Sequence, residues 1–147
     1  MNIPTIIREA GAAAIRREHR ASRIALCNGV FDVFHPGHLA HLVQAKEGCD
    51  ILVVAINADA SVNKGPGHPI FSAEQRAAVL AQLSLVDYVI IHDAPTAAGV
   101  VAALRPDVYA KGPDYAPRLK EGYWPERDAV RAYGGEIRIT HGKLGSS

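Results

Sequence analysis

The sequence is poor in cysteine, carries almost no excess charge and lacks long apolar runs, and each shortage excludes a class of protein. Only two cysteines, Cys27 and Cys49, occur among 147 residues, which does not suit a disulfide scaffold. Sixteen basic and fifteen acidic side chains leave a formal charge of +1, so no electrostatic argument favours nucleic acid or a membrane surface as a partner. The longest apolar runs, such as residues 51–56, are too short to span a bilayer.

Residues 1–20 carry charges throughout and lack the basic, apolar and small-residue order of a signal peptide. Their apolar spacing predicts a short amphipathic helix, with one face formed by Ile6, Ile7, Ala10, Ala14 and Ile15. We therefore expect a cytoplasmic protein whose two cysteines are core thiols. We divide it into an N-terminal helix over residues 1–20 and a single domain over residues 21–147.

Beyond residue 20, apolar runs alternate with helical stretches. Strands are predicted at residues 23–27, 50–56, 87–91, 107–110 and 136–140, and helices at residues 38–46, 72–83, 96–104 and 126–133. Ser72 and Gln75 have the spacing of a capping box, which places a helix start at Ser72. The alternation predicts one doubly wound α/β domain with a parallel five-stranded sheet of the Rossmann-like type. Ligands bind such sheets at the carboxyl ends of the strands.

Residues 27–41, CNGVFDVFHPGHLAH, carry the most specific pattern in the chain. Gly29 permits a tight turn after the first predicted strand, and Gly37 allows a phosphate to approach the backbone where the next helix begins. His35 and His38 at that helix start can both donate hydrogen bonds to one phosphoryl group. Phosphoryl and nucleotidyl transfer need positioning and donors around the transition state rather than covalent help, so the pattern predicts that chemistry.

The segment GVFDVFHPGH resembles the signature of the nucleotidyltransferase superfamily that includes cytidylyltransferases and small adenylyltransferases. The resemblance continues in order through AINADASV, KGPGHP, SAEQR, VDYV and KGPDY, from about residue 23 to the end. Together these segments are similar to the adenylyltransferase domain of bacterial ADP-heptose synthesis, which acts on a heptose 1-phosphate. A four-residue HxGH is weak by itself, whereas the ordered set at strand ends is specific.

The resemblance implies a role for each residue that matches the family pattern. The catalytic residues it implies are His35 and His38 at the α-phosphate, Lys64 as a cation closing over phosphate, and Arg76 near the phosphates. The nucleotide-binding residues it implies are Asn28, Gly29, Val30, Phe31, Gly37, His38, Lys46, Lys111, Gly112, Ser146 and Ser147. The acceptor-binding residues it implies are Asp32, Asn57, Asp59, Lys111 and Asp114.

The implied reaction is in-line attack by a phosphate oxygen of the acceptor on the α-phosphorus of an NTP, with release of pyrophosphate. The expected partners are an NTP, with ATP favoured, and a phosphorylated sugar or polyol, and the family makes a homodimer plausible. Mg²⁺ is expected to bridge the triphosphate oxygens with few protein ligands, and no resident metal site is expected. The sequence has no convincing Ser-His-Asp or Cys-His set, which agrees with a reaction that needs no protein nucleophile.

The sequence departs from the family pattern at three places. His68 stands where relatives usually carry arginine, which lowers the charge of that loop or makes it pH-dependent. Pro113 stands where relatives usually have a second glycine, which removes a backbone donor and stiffens the loop. The sequence stops at Gly145-Ser146-Ser147, where relatives open a last helix with a Ser-Thr segment. We expect either a missing tail or an incomplete phosphate site, and we favour the tail.

Other interpretations stay open at this point. The histidine pair together with His41 has a spacing that suits zinc, but no cysteine or acidic residue clusters with it. A cytidylyltransferase acting on glycerol 3-phosphate or another polyol phosphate is the alternative within the same chemistry. A non-catalytic nucleotide-binding module is the alternative outside it. Tyr115, Tyr123 and Trp124 either pack down a proline-rich loop or form a pocket wall, and we favour packing.

Overall fold

The structure is a computed structural model that describes residues 3–58 and 69–143. The strands are β1 Ile6–Arg8, β2 Ile24–Gly29, β3 Ile51–Asn57, β4 Tyr88–His92, β5 Val108–Lys111 and β6 Glu136–Ile139. The α-helices are α1 Ala12–Glu18, α2 Pro36–Lys46, α3 Ala73–Ala81, α4 Ala98–Leu104 and α5 Pro125–Ala132. Short 3₁₀ helices lie at Glu9–Gly11 and Pro113–Leu119.

The six strands form one parallel sheet in the order β1-β4-β3-β2-β5-β6. From β2 the chain moves to one side through β3 and β4, and then returns to the other side of β2 through β5 and β6. The order therefore reverses between β2 and β5, where Cys27 lies opposite Ala110. A crevice forms at such a reversal because the two crossovers leave in opposite directions. The doubly wound parallel α/β prediction is confirmed.

The sheet has six strands rather than the five predicted, because the N-terminal segment is not one helix. Ile6–Arg8 forms β1 and pairs with residues 89–91 of β4, and α1 begins only at Ala12. The prediction of a helix over Ile6 and Ile7 was wrong. A single short helix is marginal in water, whereas the edge of β4 offers backbone partners and suits β-branched side chains.

The start of α3 agrees with the sequence pattern. Ser72 Oγ accepts a hydrogen bond from Gln75 N at 3.1 Å, and Gln75 Oε1 accepts one from Ser72 N at 2.9 Å. These reciprocal bonds satisfy two of the amide groups that a helix start leaves without partners. The predicted capping box is therefore confirmed.

Apolar layers cover both faces of the sheet. On one face α2 and α3 bury Leu42 and Leu80, and on the other α1 and α4 bury Ile15 and Val101. Because β3 is covered on both sides, its sequence ILVVAI is apolar throughout instead of alternating. Within the described ranges, no helix is both long enough and apolar enough to cross a bilayer.

Aspartates fix the strand starts at the amino edge of the sheet. Each stands directly before one strand and accepts a hydrogen bond from a backbone amide at the start of the neighbouring strand. The pairs are Asp50 with Arg23 at 2.9 Å, Asp87 with Leu52 at 2.8 Å, and Asp107 with Ile24 at 2.8 Å. A carboxylate at each of these positions holds the register of strands that are far apart in the sequence.

Lys46 also lies at the amino edge, at the last residue of α2. Its Nζ donates to Leu85 O at 2.8 Å and to Asp87 Oδ2 at 3.0 Å. An α-helix of 11 residues is roughly 16 Å long, so the far end of α2 is well removed from the HPGH turn at its start. The nucleotide-binding role implied for Lys46 is therefore not supported.

The carboxyl end of α2 is held by Arg138 of β6. One guanidinium nitrogen, Nη1, donates to the carbonyls of Gln44 at 3.2 Å, Ala45 at 3.1 Å and Glu47 at 2.7 Å. A cation at this end satisfies carbonyls that the helix leaves without partners and opposes the negative end of the helix dipole.

We expect Arg138→Ala to lower the free energy of unfolding by about 2 kcal/mol, because carbonyls at the end of α2 lose a charged donor. Chemical denaturation of the variant and the parent measures the difference. Arg20→Ala is the matched control, because Arg20 is exposed and no hydrogen bond or ion pair joins its side chain to the described residues. Its effect should stay within about 0.5 kcal/mol. Equal losses in the two variants would contradict the anchoring role.

Candidate active site

The carboxyl edge of the sheet carries two neighbouring clefts. The first cleft, of about 490 Å³, opens between the ends of β2 and β5 and the start of α2. The second cleft, of about 330 Å³, opens beside the end of β3 and the start of α5. Residues lining both clefts are Asn28, Gly29, Val30 and Lys111. Ligands in the two clefts would therefore lie next to each other.

A depression at the amino edge, also of about 490 Å³, is lined by several arginines but is not a candidate site. Arg16 there binds Asp107 at 3.0 Å and donates to backbone carbonyls. Arg105 lies over the ring of Tyr133 at 4.6 Å. These guanidinium groups contact other groups of the chain, so they have a structural role.

The two predicted histidines stack at the start of α2, with their ring centroids 3.7 Å apart. His35 is the N-cap residue, and its Nδ1 accepts a hydrogen bond from Gly37 N at 3.1 Å. His38 Nδ1 accepts one from His35 N at 3.2 Å. A nitrogen that accepts a hydrogen bond carries no proton, so each neutral ring holds its proton on Nε2. Both rings can therefore donate from Nε2 at the positive end of the helix dipole.

Gly37 and Phe31 explain why the histidine rings adopt this arrangement. A Cβ on Gly37 would lie 2.9 Å from Cε1 of His35, so only glycine leaves room for that ring over the helix start. Phe31 has a φ of +50°, which is uncommon for a residue with a side chain. Its ring contacts the His38 ring edge-on, with 5.1 Å between centroids. A strained backbone position thus places an aromatic support against His38.

Asp32 and Arg76 are directed at backbone groups of this chain. Asp32 accepts hydrogen bonds from Ile70 N at 2.7 Å and from Phe71 N at 2.9 Å. Arg76 is 2% exposed, and it donates to Val30 O at 3.0 Å and to Phe71 O at 3.1 Å. The two side chains tie the turn after β2 to the segment that precedes α3. We therefore infer a positioning role for both, and the implied contacts with acceptor and phosphate stay predictions.

Lys111, the last residue of β5, is a cation that the two clefts share. Its Nζ donates to Asn28 O at 3.3 Å and lies 4.4 Å from the centroid of the Tyr115 ring. Burial lowers the pKa of this ammonium group, and the charge of Glu126 acts in the opposite direction. A partly buried ammonium between two clefts is placed to neutralise phosphate charge on either side.

Several other predicted residues also reach the clefts. Gly112 and Asp114 line the first cleft, together with Pro113, and Asn57 at the end of β3 lines the second. The predicted residues outside the described part of the chain are Asp59, Lys64, His68, Ser146 and Ser147. The roles implied for them stay predictions.

The sequence patterns gave no nucleotide-cleft role to His41 and Thr140, which also line the first cleft. His41 Nδ1 lies 2.6 Å from Thr140 Oγ1, which joins α2 to the residue after β6. Burial lowers the pKa of His41 to about 4, and the charges of Lys111 and His38 act in the same direction. The spacing of His41 three residues after His38, on the same helix face, is the signal that could have found it.

Gln44 holds the segment that follows β6. Its Oε1 accepts hydrogen bonds from His141 N at 2.9 Å and Gly142 N at 3.1 Å, and its Nε2 donates to Lys143 O at 2.9 Å. Gly142 lines the first cleft, and its carbonyl oxygen lies 4.0 Å from where a Cβ on Gly37 would be. Gln44 therefore fixes one wall of the first cleft next to the helix start.

The second cleft has an aromatic wall. Tyr115, Tyr123 and Trp124 all line it. Trp124 is 2% exposed and lies 4.9 Å from Tyr115 between ring centroids, whereas Tyr123 is 80% exposed. Packing of the loop and lining of a pocket, treated above as alternatives, are combined in Tyr115 and Trp124. Arg118 and Glu126 also line this cleft, and no sequence motif had singled them out.

The chain resembles known proteins over most of its length. A family model described as cytidylyltransferase-like matches residues 26–138. The bifunctional protein HldE of Caulobacter sp. strain K31 is 44% identical over 141 residues, which are 93% of this chain and 28% of that protein. The chain spans about a quarter of the length of the curated relatives it matches.

Solved structures share the fold. The lipopolysaccharide core biosynthesis protein of Thermoplasma volcanium GSS1 aligns with a TM-score of 0.65 and 24% identity, over 81% of this chain and 96% of that one. Pantoate-beta-alanine ligase of Francisella tularensis, complexed with beta-gamma ATP and beta-alanine, aligns with a TM-score of 0.66 and 15% identity. That alignment covers 94% of this chain and 67% of the ligase.

We expect the free energy of unfolding to fall as the pH drops from about 6.5 towards 4. In this window the unfolded chain takes up a proton on His41, whereas the folded chain does not, so acid favours unfolding. The effect is at most about 3 kcal/mol, and partial access of water to the ring reduces it. Urea titrations of the parent and of His41→Asn across this pH range measure it. The variant should show a shallower pH dependence, and parallel curves would contradict the assignment.

Proposed function

The chain belongs to the cytidylyltransferase-like family, and we propose that it transfers AMP from ATP to a sugar 1-phosphate such as a heptose 1-phosphate, releasing pyrophosphate. The observation that carries the proposal is the meeting of the two clefts at Lys111, beside the stacked histidines. Two adjoining clefts suit a reaction between two phosphorylated substrates. The segments that resemble the adenylyltransferase domain of ADP-heptose synthesis favour ATP and a heptose phosphate.

In this proposal the first cleft holds the nucleotide, with its α-phosphate at the start of α2. An acceptor phosphate oxygen forms a bond to the α-phosphorus while the bond from that phosphorus to the pyrophosphate oxygen breaks. Negative charge develops on the oxygens of the α-phosphoryl group. Nε2 of His35 and Nε2 of His38 donate to those oxygens, and Lys111 adds positive charge from the acceptor side.

Mg²⁺ is the cofactor that the family implies. Among residues 3–58 and 69–143, no group of three His, Cys, Asp or Glu is placed to hold a metal ion. Among the polar side chains of the first cleft, His35, His38 and Lys111 offer nitrogen donors, which suit phosphate oxygens, whereas Mg²⁺ prefers oxygen ligands. We propose that the ion is bound mainly by the triphosphate and neutralises its charge. Asp114, a carboxylate on this cleft, is the residue that would contact the ion or its waters.

Transfer of CMP to glycerol 3-phosphate or another polyol phosphate uses the same groups and is the alternative within the proposal. The choice of base rests on the resemblance alone. We also propose a cytoplasmic location, where ATP is available and the free thiols of Cys27 and Cys49 stay reduced. A homodimer stays a prediction from the family.

We expect the protein to release pyrophosphate with ATP, Mg²⁺ and a sugar 1-phosphate, and we expect His38→Ala to lower kcat by roughly 10²–10³-fold. The variant loses a donor to the α-phosphoryl oxygens but keeps the rest of the cleft, so ATP binding measured by calorimetry should persist. His19→Ala is the matched control, because His19 bonds Tyr88 at 2.7 Å near the amino edge. It should retain the activity of the parent.

The assay is run with each NTP in turn and with sugar 1-phosphates and polyol phosphates. Release with CTP and glycerol 3-phosphate would select the alternative chemistry. If no pair of substrates releases pyrophosphate while ATP still binds, the proposal falls and a binding module replaces it.

A further inference from the structure

The second cleft contains two cations that converge on one aromatic ring. The ammonium of Lys111 lies 4.4 Å and the guanidinium of Arg118 5.1 Å from the centroid of the Tyr115 ring. Because both cations lie against the same ring, their like charges repel, and the charge of Arg118 adds to burial in lowering the pKa of Lys111. A ligand with a phosphate group would relieve that repulsion.

Hydrogen bonds from Arg127 anchor the end of the 3₁₀ helix that carries Arg118. Arg127 is buried, and its guanidinium donates to the carbonyls of Arg118, Glu121 and Gly122. These bonds fix the backbone between the 3₁₀ helix and α5. Arg118 therefore extends from an ordered loop, although its own side chain is exposed.

Glu126 offers a carboxylate to the same cleft. It is 8% exposed, and its Oε2 accepts a hydrogen bond from Ala97 N at 2.8 Å, just before α4. No donor among the described residues contacts the other oxygen, Oε1. Because Glu126 lines the second cleft, Oε1 can accept a hydrogen bond from a hydroxyl group of a ligand there.

The aromatic wall lies between these polar groups. Tyr115 contacts Lys111 and Arg118 through its ring and packs against Trp124, the residue two before Glu126. An aromatic face packs well against the C–H groups of a sugar ring, whereas a three-carbon chain covers little of it. A volume of about 330 Å³ is within the usual range for small-molecule sites.

From these contacts we propose that the second cleft is the acceptor site and that it selects a cyclic sugar phosphate. Lys111 and Arg118 bind the phosphate, Glu126 accepts hydrogen bonds from ring hydroxyls, and Tyr115, supported by the buried Trp124, packs against the ring. This inference rests on the proposed function and adds the residues that choose the acceptor. Arg118 and Glu126 lie outside the segments that carry the family resemblance.

Glu126→Gln is the most selective test, because a glutamine oxygen can still accept from Ala97 N while its NH₂ replaces the acceptor that faces the ligand. We expect the KM for mannose 1-phosphate or heptose 1-phosphate to rise about tenfold or more, and the KM for ATP to stay within about twofold. Any turnover of glycerol 3-phosphate should be little affected. Glu121→Gln, at an exposed glutamate, is the matched control and should match the parent.

Arg118→Gln tests the phosphate part of the cleft. It should raise the KM for sugar phosphates and for glycerol 3-phosphate alike, because both carry the phosphate group. Arg131→Gln, at an exposed arginine on α5, is its control. If Glu126→Gln and Arg118→Gln leave the acceptor KM unchanged, or raise the KM for ATP equally, the acceptor assignment is wrong.

A binding measurement separates this inference from the proposed function. Calorimetric titration of mannose 1-phosphate and of glycerol 3-phosphate, with a non-hydrolysable ATP analogue present, needs no turnover. If the parent releases no pyrophosphate but Glu126→Gln binds the sugar phosphate more weakly than the parent does, the acceptor site is supported and the proposed transferase activity is wrong. If the parent releases pyrophosphate but Glu126→Gln and Arg118→Gln bind the acceptor as tightly as the parent does, the transferase activity is supported and the acceptor assignment is wrong.

Discussion

β2 lies between β3 and β5, and the chain reaches these two neighbours by crossovers that must have the same hand. One crossover leaves β2 on one face of the sheet and the later one returns on the other face. Among residues 3–58 and 69–143, the two crossovers therefore diverge from the carboxyl ends of β2 and β5, where the clefts open. The residues that end these strands, Asn28 and Gly29 on one and Lys111 on the other, are the ones that both clefts share. The position of the site is a consequence of strand order.

Helix α2 places two histidines beside these strand ends. Different contacts hold its two ends. At its start, the Nδ1 atoms of His35 and His38 accept backbone N–H groups, which leaves the proton of each ring on Nε2. The bonds that cap the helix thus also determine the tautomer that an anion would meet. At its far end, Arg138 and Gln44 join the helix to β6 and the segment after it. The HPGH turn at the start of α2 therefore belongs to a helix that is held at both ends.

Local features of the site could be predicted from the sequence, and features made by distant contacts could not. The HPGH turn and the capping box at Ser72 depend on neighbours within four residues, and the structure shows both. β1 depends on the edge of β4, which lies about eighty residues away in the sequence and is invisible to a local pattern.

The contacts of Arg76, within the site, also could not be predicted from a local sequence pattern. A family motif predicts that an arginine is needed, but only the fold shows that its guanidinium meets the carbonyls of Val30 and Phe71. Arg118 and Glu126 belong to no motif, and they come together only where the segment before α5 returns to the end of β5. Sequence motifs therefore do not indicate the residues that we propose for acceptor choice.

The small net charge of the chain makes the partial burial of Lys111 important. With a formal charge of +1, the protein as a whole attracts polyphosphates weakly, so anion binding depends on where individual cations lie. Salt screens an exposed charge within about 10 Å, but it screens a buried charge much less. Removing the Lys111 ammonium partly from water costs free energy. A hydrogen bond to Asn28 O, the Tyr115 ring and the negative charge of Glu126 offset that cost. Since Lys111 lines both clefts, the reaction that we propose would use one cation for the nucleotide phosphate and for the acceptor phosphate.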